Sequence, residues 1–143
     1  MNVRTILELK GRAVATIPPE ATVDDAVALL HRRGVGALVV SRDGTIVEGI
    51  ISERDIVRAL AERGTGIGGV AVAALMSREV VTCREVDSIG DLARLMTERR
   101  IRHLPVVERG ALAGIVSIGD VVKSRIAEVE SESEAMRELI SHG

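Results

Sequence analysis

The chain contains no phenylalanine, tyrosine or tryptophan. Single-stranded nucleic acid is gripped largely by stacking bases on aromatic rings, so no such platform is available. The core must be built from Val, Ile, Leu, Ala and Met, within a composition that is 46% hydrophobic. A single cysteine, Cys83, excludes an internal disulfide framework and leads us to expect a reducing compartment, the cytoplasm. Charge of one sign is also missing. Nineteen basic against twenty-one acidic residues leave a formal charge of −2, which gives a nucleic-acid backbone no electrostatic footprint. No apolar run reaches the ~18 residues a membrane-spanning helix needs, and the stretch from Met1 to Lys10 has no uninterrupted apolar core, so no signal peptide is expected. At 143 residues the chain is one domain, or two small lobes sharing a core.

What is present is a duplication. Gly49-Ile50-Ile51-Ser52-Glu53-Arg54-Asp55 returns as Gly114-Ile115-Val116-Ser117-Ile118-Gly119-Asp120, 65 positions later. Upstream, Thr16-Ile17 matches Thr82-Cys83, and Val35–Val40 matches Ile101–Val106, both 66 positions apart. Two copies are too few for a solenoid, which needs about three, but they suit half-domains related by a pseudo-twofold with clefts between them. Each copy reads strand, helix, strand, glycine-containing turn, strand, helix. The first helices carry apolar residues at helical spacing: Val23, Ala26, Val27 and Leu30, then Ile89, Leu92, Ala93 and Met96. Ala37–Val40 and Leu104–Val107 are continuous apolar runs, as strands buried on both faces require. Asp43-Gly44 and Arg109-Gly110 mark the turns.

Between the copies, Gly64-Thr65-Gly66-Ile67-Gly68-Gly69 fits G-x-G-x-x-G. The dinucleotide fingerprint requires a strand before it, and here a helical stretch precedes it, so the segment reads as a flexible linker. Val3–Leu7 and its echo Val72–Met76 read as short lead-in helices. After the second copy, Val122, Ile126, Val129, Met136 and Ile140 follow 4-and-3 spacing, with Ser133 interrupting. That pattern predicts an amphipathic C-terminal helix, locally acidic, which either caps the module or pairs with a second copy. The expected boundaries are 1–13 (lead-in helix), 14–63 (first repeat), 64–79 (glycine-rich linker and second lead-in helix), 80–126 (second repeat) and 127–143 (acidic C-terminal helix).

The repeated Ser-x-x-Asp has two readings. As structure, Ser at the N-cap with an acid at N3 is a capping box, although Asp reaches its own N-cap less readily than Glu. As function, a helix N-terminus offers unpaired N–H groups and partial positive charge to a phosphate, and the carboxylate can accept from the two hydroxyls of a ribose. The motif alone does not decide between them.

These residues together, with Thr16 and Thr82, Leu104-Pro105-Val106 and both Gly-φ-φ-Ser-x-x-Asp stretches (φ apolar) in order and duplicated, resemble a tandem CBS-domain protein, the paired regulatory unit called a Bateman module. The resemblance runs from Val14 to about Arg125, and the flanking segments look like the small stand-alone bacterial members. It implies an α/β fold of two CBS repeats, each strand-helix-strand-strand-helix, packed with pseudo-twofold symmetry. It also implies a non-enzymatic sensor that binds adenosine-containing ligands between the repeats: AMP first, then ATP, NAD(H) or S-adenosylmethionine. Asp55 and Asp120 would then hold the ribose, with Ser52 and Ser117 close to ribose or phosphate. Thr16, Ile17 and Pro18, Thr82, Cys83 and Arg84, and Gly36, Ala37 and Leu38 with Arg102, His103 and Leu104 would line the nucleotide. No catalytic or metal-ligating residue is implied.

The copies differ where it matters. Arg102-His103 stands opposite Gly36-Ala37, Pro105 opposite Val39, and Arg54 opposite Gly119. Arg102, and with it His103, suits a phosphate through charge-assisted bonds, so the second cleft is expected to be the better phosphate site, with Arg54 serving the first. Cys83 and His103 are expected to lie near one another, but two such ligands fall short of a zinc pattern. A hydrolase using Ser117, His103 and Asp120 lacks the nucleophile elbow. The family likeness further implies a homodimer and an effector protein that reads the ligand state, with no nucleic acid and no membrane partner. The rivals are a structural adaptor without a small-molecule ligand and, behind it, a weak nucleotide hydrolase.

Overall fold

A computed structural model describes residues 1–142. The order is α1 (Val3–Lys10), β1 (Thr16–Ile17), α2 (Val23–Arg33), β2 (Ala37–Val40), β3 (Gly49–Ser52), α3 (Glu53–Arg63), a 3-10 turn (Thr65–Ile67), α4 (Val72–Leu75), α5 (Ile89–Arg99), β4 (His103–Glu108), β5 (Ala111–Ser117) and α6 (Ile118–His142). In the first copy β1 runs parallel to β2, and β2 antiparallel to β3. In the second, β4 and β5 pair antiparallel, and the expected first strand shrinks to one parallel bridge, Cys83 to Val106. The chain turns away at once because Arg84 N–H donates to Asp87 and Glu85 N–H to Glu108.

Local signals account for the helices. Thr22 caps α2 and Ser88 caps α5, each accepting from the backbone N–H three residues on, a bond worth about 0.5–2 kcal/mol. Of the predicted apolar face of α2, Val23, Ala26 and Leu30 are buried while Val27 stays 47% exposed. The equivalent C-cap positions, Gly34 and Arg100, both adopt left-handed backbone, at φ 63° and 54°. Glycine takes that conformation freely, and arginine does so only against strain.

Two aliphatic cores form, and the lead-in segments cross between them. Val3, Ile6 and Leu7 of α1 pack with Ile89, Leu92, Met96, Leu104, Val106 and Val116 of the second copy. Ile67 and Val72 pack with Val23, Leu38, Val40 and Ile51 of the first. Backbone bonds repeat the exchange: Val3 N–H donates to Asp87, and Val72 N–H to Ala21. Each copy therefore borrows a helix from the segment preceding the other, which ties the halves into one unit. The glycine-rich run takes part. Ile67 is buried, Asp24 N–H donates to the Gly68 carbonyl, and a Cβ at Gly68 would meet the Asp24 carboxylate at 2.6 Å. It is a packed turn, not the compliant connector its composition suggested, because the carbonyls of Gly68 and Val70 accept from the first amides of α2.

The C-terminal region also departs from expectation. The last helix of the second repeat and the acidic tail are one continuous helix of 25 residues, α6, with no break at Ser133.

Candidate functional site

The pseudo-twofold places the two Ser-x-x-Asp turns at one cleft. In the first copy Ser52 lies opposite Ala37 across the ladder, and in the second Ser117 lies opposite His103. The first amide of the following helix is spent identically in each: Glu53 N–H donates to Gly36 O at 3.0 Å, and Ile118 N–H to Arg102 O at 2.8 Å. A cleft of about 590 Å³ opens between these segments, within the range of small-ligand sites. Its walls include Gly36, Ala37, Ser52, Arg54 and Asp55 from the first copy and Arg102, His103 and Ser117 from the second.

Both capping boxes are complete. Ser52 N–H donates to Asp55 Oδ2 at 2.8 Å, and Asp55 N–H to Ser52 Oγ at 3.4 Å. Ser117 N–H donates to Asp120 Oδ2 at 2.9 Å, and Asp120 N–H to Ser117 Oγ at 3.2 Å. Aspartate thus reaches its N-cap, contrary to the expectation from its length, because the serine sits in extended backbone that brings the two residues together. Most first-turn amides are therefore already bonded, and the helix N-termini offer a phosphate far less than the motif suggested. Asp55 Oδ1 is ion-paired with Arg58 at 3.7 Å, while among the described residues no hydrogen bond occupies Oδ1 of Asp120.

Cationic side chains fill the gap. Arg58 and Arg100 join Arg54 and Arg102 on the cleft wall, against Glu53 and Asp55. Sequence reasoning missed Arg58, Arg100 and Glu53. Arg100 could have been found, since an arginine where the other copy has the C-cap glycine implies strain retained for a purpose. His103 leans across the pseudo-twofold onto Gly36, where a Cβ would sit 3.2 Å from His103 Cε1 and 2.7 Å from Glu53 Oε1. Burial, and then the neighbouring Arg102 guanidinium, push the His103 pKa below its ordinary value, so the imidazole is held neutral near pH 7.

The remaining candidates lie elsewhere. Leu38, Leu104 and Pro105 are buried in the strands, and Ile17 and Cys83 are buried in the cores. Their side chains pack the protein because those runs are covered on both faces. Thr16, Pro18, Thr82 and Arg84 are not on the walls of this cleft, and Arg84 is paired with Glu108 at 3.1 Å. Cys83 and His103 are separated by environment, core against cleft. Burial, helped by Asp87 and Glu108, pushes the Cys83 thiol up to about 12, so it stays protonated. Among the described residues no cluster of three or more His, Cys, Asp or Glu could hold a metal.

Asp120 lies behind the cleft wall and has a partner no motif announced. Lys10, at the end of α1, donates to its Oδ2 at 2.7 Å. Burial pushes the Asp120 pKa up, but the Lys10 bond and the Ser117 amide together outweigh it and hold the carboxyl below the ordinary aspartate value. A carboxylate with a depressed folded pKa stabilises the protein above its unfolded pKa, and that stability is lost as pH falls through the folded value. Lys10→Ala should therefore raise the Asp120 pKa, which carboxyl NMR titration reads directly, and shift the acid unfolding midpoint upward.

Paired α/β repeats with exchanged lead-in helices and a cationic cleft on the pseudo-twofold define a tandem two-repeat module. The family model for the CBS domain matches residues 7–62 and 72–127, and the chain belongs to the CBS-domain family. It is 34% identical over 129 residues to the CBS domain-containing protein YhcV of Bacillus subtilis, covering 90% of this chain and 89% of that one. Among solved structures, the CBS-domain containing protein ATU1752 from Agrobacterium tumefaciens superposes with a TM-score of 0.84 at 43% identity, over 87% of this chain and 99% of that one. The CBS domain protein PAE2072 from Pyrobaculum aerophilum, whose structure is a complex with AMP, superposes at 0.74 with 29% identity, covering 84% and 89%. No described helix is long and apolar enough to cross a membrane.

Proposed function

We propose that this chain is a non-catalytic sensor that binds an adenosine-containing ligand, AMP first and ATP, NAD(H) or S-adenosylmethionine behind it, in the cleft between its repeats. The observation that carries this reading is the meeting of both Ser-x-x-Asp segments with four arginines in one cleft. Asp55, on the wall, would receive a ribose hydroxyl at Oδ1 in place of its 3.7 Å pairing with Arg58, with Ser52 and Ser117 flanking it. Asp120, held off the wall by Lys10, would receive ribose on release of that contact. Arg102, with Arg54, Arg58 and Arg100, would hold phosphate. The AMP complex of the related PAE2072 supports the ligand class, and CBS-domain proteins are generally regulatory. A ligand that touches both copies favours whichever arrangement it fits better, by its differential affinity alone. An effector protein would read that shift from a homodimer in the cytoplasm.

Calorimetric titration with AMP, ATP, NADH and S-adenosylmethionine tests the reading. Saturable heat with AMP is expected, and the absence of heat with all four would favour a structural adaptor. Arg100→Gly provides a two-sided check. Relieving the left-handed arginine should raise stability by roughly 0.5–1 kcal/mol, while removing a cleft cation weakens AMP binding. A variant that is more stable and binds equally well would show that Arg100 has no ligand role.

A further inference from the structure

We infer that α6 pairs with α6 of a second copy as a parallel coiled coil. The inference rests on the homodimer reading above and adds its seam, direction and selectivity. From Val129 to Ser141 every residue of α6 is exposed. An isolated helix of about this length is marginal in water, so a continuous helix there calls for a partner along its side. Val122, Ile126, Val129, Ser133, Met136 and Ile140 repeat at alternating steps of four and three, which places them at d, a, d, a, d, a of a heptad. The five apolar members are 50–75% exposed, so among the described residues nothing buries the stripe.

Charge selects the occupant and the direction. With Ile126 at a, the g positions include Arg125 and Glu132, and the e positions Lys123, Glu130 and Arg137. In a parallel pair each g residue faces the e residue five positions on in the partner. Arg125 then meets the partner's Glu130, and Glu132 meets the partner's Arg137. Symmetry doubles both, giving four opposite-charge contacts and no like-charge one. Arg125 now bonds Glu128 of its own helix at 2.8 Å and would trade that exposed contact for the interhelical one. An antiparallel pair overlapping the same segment brings Glu130 against the partner's Glu130, Glu132 against the partner's Glu132, and Lys123 against the partner's Arg137. All three are repulsive, so the sequence selects a parallel copy of itself and works against the alternative. Ser133, small and polar at one a position, lowers stability and helps fix the register.

The test uses the full chain. Glu132→Arg sets arginine against the partner's Arg137 and should weaken dimerisation in sedimentation equilibrium at least tenfold. Glu132→Arg with Arg137→Glu restores the opposite pair and should recover affinity to within about threefold of the parent. Ile140→Cys should form a disulfide-linked dimer under mild oxidation, because parallel helices bring residue 140 beside its copy, whereas the parent, whose Cys83 is buried, should not. A chain that stays dimeric while Glu132→Arg has no effect or Ile140→Cys fails to cross-link would overturn the seam and leave dimerisation to another face. A parent chain that is monomeric at all concentrations overturns both the seam and the homodimer reading. AMP titration of each variant confirms that the fold is intact.

Discussion

Arg102→Glu should weaken AMP binding by roughly 100-fold or more while moving the thermal midpoint by only a degree or two. The first-turn amides of α3 and α6 that could have received a phosphate are largely spent on Ser52, Ser117, Gly36 and Arg102 carbonyl or hydroxyl oxygens. Phosphate therefore depends on side-chain cations, and Arg102 stands where the pseudo-twofold mate is the uncharged Gly36. Hydrogen bonds to charged groups contribute about 1.5–3 kcal/mol each, and each ~1.4 kcal/mol is tenfold in affinity. Alanine would remove that interaction, and glutamate adds repulsion in a cleft that already holds Glu53 and Asp55. Arg102 is exposed, so the fold should barely register the change. Arg63→Glu makes the same charge change outside the cleft and should leave binding within twofold. Equal losses in the two variants would mean that net charge, not a site, governs the interaction. Aspartate variants test the ribose role less cleanly, because Asp55 and Asp120 also hold their helix caps and Asp120 anchors Lys10.

The second large effect is on stability. Leu104→Ala should lower the unfolding free energy by about 2–5 kcal/mol, the range for emptying a buried leucine site, which corresponds to a fall of roughly 6–20 °C in Tm for a chain of this size. Leu104 is 0% exposed and pairs with Val116 across the ladder, among Ile89, Leu92 and Met96. With no aromatic side chain in the protein to swing into the gap, the cavity is filled poorly. Leu9→Ala, at a position 80% exposed, should cost less than about 0.5 kcal/mol. Differential scanning calorimetry of the two variants decides it, and a loss below ~1 kcal/mol for Leu104→Ala would show a core that closes over the deletion. Because Leu104 adjoins His103 and Arg102 in sequence, AMP affinity should fall with it, though less than for Arg102→Glu.

Much of this was legible in one dimension. Apolar periodicity, the cap serines and threonine, and the turn glycines all act within a few residues, so element order could be read from the chain. The Arg102-His103 against Gly36-Ala37 difference was visible as soon as the copies were aligned. The GxGxxG run misled in one respect only, since composition reports what a segment could do when free and not that Asp24 and a buried Ile67 hold it.

The sequence by itself determined that there are two copies, the elements in each and their order, and that Arg102 stands where the first copy has Gly36, because those can be read from near neighbours along the chain and from aligning one copy on the other. Only the tertiary structure decided that α1 serves the second copy's core, that Lys10 anchors Asp120 from 110 residues away, that Arg58, Arg100 and Glu53 share a cleft with Ser117, and that the capping boxes consume the amides a phosphate would have used. Those contacts join positions far apart in the chain. They are set by how two aliphatic surfaces pack across a pseudo-twofold, which no local pattern of residues records.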